Sequence, residues 1–134
     1  MNAVDSSVVV AAFSSWHEHH DFAREALATR PHLPEHAAVE AYSVLTRLPH
    51  PHRAEPALVH QFLVQTFRDR SLDDSSRSVI DQLRVLAELR IFGGATYDAL
   101  IGLTAKRFDA TLLTLDRRAQ ETYDRLGVRV RFLS

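Results

Sequence analysis

Short apolar runs that end on an acid, each leading into a helical segment, constrain this chain more than any other feature. It opens "MNAVDSSVVVAAF", a strand of few residues that stops at Asp5. A helix follows from Ser6 or Ser7, both favoured cap types. "ATLLTLD" repeats the arrangement near the other end, a strand of buried character finishing on Asp116. Short strands alternating with helices build a parallel sheet covered on both faces. Such sheets hold their ligands outside the carboxyl ends of the strands.

The segments between fit the same scheme. "HEHHDFAREALATR" reads as a second helix, with Phe22, Ala23, Ala26 and Leu27 at helical spacing. "PHLP" leaves room for a brief strand, and "EHAAVEAYSVLTRL" is a helix stopped by the prolines of "PHPHR". "EPALVHQFLVQTFRDR" carries Leu58, Val59, Phe62, Leu63 and Phe67 on one face, which serves either the core or an interface. A short "SLD" strand precedes a helix capped at Ser75 or Ser76 and closed at Gly93-Gly94. "TYDALIGLTAKRF" and "DRRAQETYDRLG" are helices on either side of the "ATLLTL" strand, and "VRVRFL" is a terminal strand. With 134 residues and no linker or repeat, residues 1–134 read as a single domain.

Four acids stand out. Asp5 and Asp116 end strands, and Asp98 lies in the first turn of its helix behind Thr96 as a cap. Each has a plain structural reading as a helix-start acid, favoured by capping or by the helix dipole. Glu40 borders the apolar stripe of Ala37, Ala41, Val44, Leu45 and Leu48; its plain reading is a snorkelling surface residue. Taken jointly, they can share one edge of the sheet. Clustered carboxylates repel strongly in a low dielectric, so such a set needs protons or a cation, and hard oxygen-preferring Mg²⁺ or Mn²⁺ is suited to it.

The blocks "AVDSSV", "VEAYSVLTRLP", "TYDALIGLTA" and "LLTLDRRAQETY" resemble, in order and spacing, the four acidic blocks of PIN-domain ribonucleases. They look most like the VapC toxins of bacterial toxin–antitoxin pairs, across essentially the whole chain. The resemblance implies a PIN-like three-layer α/β/α sandwich with a central parallel sheet. It also implies an endoribonuclease whose Asp5, Glu40, Asp98 and Asp116 bind Mg²⁺ or Mn²⁺, with Thr114 orienting a carboxylate or a water. A VapB-type antitoxin, an RNA substrate and a homodimer are the implied partners. The alternative is a PIN-like module that binds RNA or protein without catalysis.

Composition narrows the remaining classes. A hydrophobic share of 46% and a charged share of 25% are those of an ordinary globule. Without cysteine there is no disulfide or thiolate zinc site, and no apolar run approaches a membrane span, so a cytoplasmic protein is expected. The net charge of −1 gives no global attraction to nucleic acid, so RNA requires a local patch. Arg117 and Arg118 after Asp116, with Arg47 and Arg53 around the turn after the Glu40 helix, are the phosphate-contact candidates. Their plain reading is as solvated arginines. "HEHH" at His17–His20 fails the zinc-protease spacing because residue 21 is aspartate, and neither a P-loop nor a GxSxG motif is present.

Overall fold

In the computed structural model, which describes residues 1–134, five short strands all run parallel. They are β1 (Asn2–Val4), β2 (Leu33–Pro34), β3 (Ser71–Leu72), β4 (Thr111–Thr114) and β5 (Val130–Phe132). β1, β4 and β5 form one sheet and β2 pairs with β3 in another. A parallel bridge between Ala3 and His32 joins the two, giving the order β3-β2-β1-β4-β5. The chain therefore steps outward from β1 on one side, then returns to lay β4 on the other. The reversal falls between β1 and β4, where open α/β sheets form a crevice.

Seven helices flank the sheet: α1 (Ser6–Phe13), α2 (His20–Ala28), α3 (Glu35–Thr46), α4 (Pro56–Phe67), α5 (Val79–Glu88), α6 (Ala95–Arg107) and α7 (Gln120–Leu126). None is long and apolar enough to cross a membrane. Ala3, Val4, Leu112 and Leu113 are fully buried, as expected of strands covered on both faces. They belong to one core with Val8 and Val9 of α1, Ala37 and Ala41 of α3 and Ile101 of α6.

The architecture matches the sequence expectation, whereas several element ends do not. α1 is capped by Asp5, whose carboxylate accepts the Ser7 N–H, so Ser6 and Ser7 lie inside the helix. α2 starts only at His20, because the preceding residues fold into turns in which His17 Nδ1 accepts the His19 N–H. α5 is capped by Ser78, whose hydroxyl accepts the Asp81 N–H, and not by Ser75 or Ser76. Ser76 instead donates to Asp74. α5 ends at Glu88, before Arg90 takes a positive φ of 57°, so Gly93-Gly94 lead into α6 instead of closing α5. Thr96 does not cap α6, which starts one residue earlier without a side-chain cap. On α4, Val59 and Phe67 are buried and Phe62 packs edge-on against Phe13 at 5.5 Å, whereas Leu58 stays exposed.

Candidate active site

Asp5 and Asp116 reach the same edge of the sheet because their strands are neighbours in register. Val4 lies opposite Leu113, and the Asp5 N–H donates to the Leu113 carbonyl at 3.1 Å. Asp98 comes from the first turn of α6 and Glu40 from α3, two helices packed against each other. All four acids line one cleft of about 930 Å³. Ser6, Ser7, Arg117 and Arg118 line it too, as do His17, Glu18 and His19 from the turns before α2.

The carboxylates differ in how firmly they are held. Asp5 is buried, and its Oδ1 accepts from both the backbone N–H and the hydroxyl of Ser7. Its Oδ2 accepts from the Tyr123 hydroxyl at 2.8 Å. Burial pushes the Asp5 carboxyl above its usual range, against the opposing pull of these donors. Burial, with Asp5 beside it, holds the Tyr123 phenol far above its usual range, so it stays a proton donor. Glu40 accepts from the Ser6 hydroxyl. Asp116 caps the short 3-10 turn Arg117–Ala119 by accepting the Arg118 N–H at 3.0 Å.

Asp98 has no such hydrogen-bonded support. Its carboxyl is pushed up to about 7, first by partial burial and then by Glu40, Asp5 and Asp116, with Arg118 opposing. The cleft therefore concentrates negative charge that Arg118, 3.5 Å from Asp116, offsets only in part. No three of its carboxylates and imidazoles stand close enough to enclose an ion by themselves. Mg²⁺ is commonly held through one or two carboxylates and keeps several waters, so this all-oxygen set fits it without a closed cage.

The other sequence candidates separate. Thr114 is fully buried and does not line the cleft; its Oγ1 accepts the Asp116 N–H at 3.0 Å and lies 3.3 Å from the Ser7 hydroxyl. It thus fixes the turn that aims Asp116. Arg117 and Arg118 reach the cleft, but Arg47 and Arg53 do not. Arg47 donates to Ser43 at 2.9 Å, and Arg53 to the Leu48 carbonyl at 2.9 Å. Tyr123 was not legible as a site residue, because a buried aromatic on a helix has the same pattern whether or not its hydroxyl meets an acid. Ser6 and Ser7 carried a signal, two hydroxyls directly after a strand-end acid, which also describes caps.

Comparison with known proteins places the chain in a family. The PIN domain family model matches residues 3–125. The chain is 51% identical to Ribonuclease VapC40 of Mycobacterium tuberculosis over 134 residues, covering all of both chains. It is 40% identical to Ribonuclease VapC27 of the same species over 138 residues, covering 96% of this chain and 93% of that one. Among solved structures, FitAcB from Neisseria gonorrhoeae superposes with a TM-score of 0.65 at 18% identity, covering 97% of this chain and 96% of the other, a likeness of fold. Four acids at the switch point of a parallel sheet, a family model spanning nearly the whole chain and full-length identity of 51% converge: this chain is a PIN domain protein of the VapC family.

Proposed function

We propose that this protein is a metal-dependent endoribonuclease that cuts RNA phosphodiester bonds with water. The observation that carries the reading is the convergence of Asp5, Glu40, Asp98 and Asp116 on one cleft, with Asp98 pushed up to about 7. A cation held by these residues would supply charge neutralisation and water activation when bound. The chain's own groups do the positioning. Ser7 and Tyr123 fix both oxygens of Asp5, Ser6 fixes one oxygen of Glu40, and Thr114 fixes the backbone of Asp116. Preset orientation of this kind leaves less to be reorganised as charge develops on the phosphate. Arg117 and Arg118, at the same cleft, meet phosphate oxygens and hold the strand in place without reading its sequence.

The relatives are named ribonucleases, which agrees with this chemistry. By the same family likeness, the protein serves as the toxin of a pair, inhibited by a small VapB-type antitoxin whose tail occupies the cleft. The test is cleavage of total RNA by purified protein alone, with EDTA, and with EDTA plus excess Mn²⁺. Cleavage lost in EDTA and restored by Mn²⁺ is expected. Equal cleavage in all three rejects the metal, and RNA bound but uncut throughout favours a non-catalytic module.

A further inference from the structure

The turns between α1 and α2 carry the chain's only tryptophan. Trp16 stacks on His52, from the turn after α3, with ring centroids 4.1 Å apart and planes 30° from parallel. The rings continue from Trp16 to His17 at 5.7 Å and from His17 to His19 at 5.8 Å. His17 and His19 line the acidic cleft, so the ring series runs into its wall. Trp16 is no core residue: it keeps 47% of its surface exposed and lies outside the hydrophobic cluster. An indole stacked on one ring and still half exposed has face left for another.

We propose that Trp16, with His52 and His17, is a nucleobase platform on which an unpaired base of the RNA stacks while the adjoining backbone enters the acidic cleft. This rests on the ribonuclease reading and adds how the substrate is gripped. Aromatic faces accept any base, and a base reaches them only when it is free of its own duplex. Burial and the neighbouring His19 hold the His17 imidazole below its usual range, so at neutral pH it presents an uncharged flat ring. Arg53 adjoins His52 in sequence and Arg47 caps α3. Both are exposed, which gives these cleft-distant arginines a role beside the platform, on the phosphates flanking the stacked base.

Because Trp16 is the only tryptophan, its fluorescence reports the platform directly. Asp98→Asn protein, once shown not to cleave, is titrated in Mn²⁺ with a short single-stranded RNA, the same RNA as a duplex, and an abasic oligomer of equal length. Quenching by the single strand alone is expected. In the otherwise unaltered protein, Trp16→Ala weakens single-strand binding about 5- to 150-fold. Trp16→Phe retains most of the binding, and melting is unchanged in both. His52→Ala leaves the reporter in place and also weakens binding. Quenching by the abasic oligomer as strong as by RNA, or binding unchanged in Trp16→Ala, overturns the platform. A lower melting temperature with binding intact also overturns it, and makes the Trp16–His52 stack a strut between two loops. Cleavage by the unaltered protein is scored separately, so the nuclease reading and the platform fail independently.

Discussion

Asp98 and Asp81 are matched residues, since each lies in the first turn of its helix, where the dipole favours an acid. Only Asp98 faces other carboxylates. Asp98→Asn should therefore raise the melting temperature in EDTA, shrink the stabilisation gained from Mn²⁺ and abolish cleavage. Asp81→Asn should lower melting slightly and leave the other two unchanged. The pH dependence has the same origin. With a carboxyl pushed from 3.8 to about 7, the folded state binds more protons than the unfolded state between those values. The contribution of Asp98 to stability in EDTA should then fall as pH rises from about 4 to about 7 and level off above it. Thermal melts across pH check this, and the fall should be shallower in Asp98→Asn. If Asp98→Asn melts lower in EDTA and still cleaves, Asp98 is a helix-start acid and nothing more.

At the scale of elements, caps and close approaches decide stability. Ser78→Ala removes the hydroxyl that accepts the Asp81 N–H and should cost about 1 kcal/mol in chemical denaturation. Ser76→Ala, at one of the two positions the sequence offered as the cap, should cost much less. α6 and α7 meet at Gly102, where a Cβ would lie 3.1 Å from Val128 Cγ2 and 3.2 Å from Tyr123 Cδ1. Gly102→Ala gains about 1 kcal/mol of helix propensity but overpacks a filled core by about 1–3 kcal/mol. A net loss of about 1 kcal/mol is expected, together with reduced cleavage, because the displaced Tyr123 ring carries the hydroxyl that holds Asp5. Unchanged cleavage in a destabilised Gly102→Ala would separate Tyr123 from the site.

For the whole molecule, apolar surface remains to be covered. Val39 and Tyr42 on α3 and Leu58 and Val64 on α4, two helices packed together, are all exposed. A second copy of the chain packed against these two helices would cover such side chains. A homodimer is the expected occupant, so light scattering at micromolar concentration should give about twice the 15.2 kDa chain mass. A single 15.2 kDa species would count against it.

The alternation of strands and helices, the parallel sheet and the order of the four acids were legible in the residues alone. These follow from local rules: an apolar run of few residues, a proline or glycine stop, an acid where a strand becomes a helix. The sequence could not separate a cap from a cleft residue, since Asp5 and Asp116 each cap a turn and each line the cleft. Asp116 turns one oxygen toward its own 3-10 turn and leaves the other free, whereas Asp5 gives one oxygen to Ser7 and the other to Tyr123. Where α2 and α5 begin was also hidden, because several histidines before α2 and several serines before α5 compete for the same backbone donors. It took the folded chain to reveal that Tyr123 meets Asp5 across 118 positions, that Trp16 meets His52, and that Arg47 and Arg53 stay out of the cleft. Those contacts depend on how strands and helices pack in three dimensions, and no local spacing encodes them.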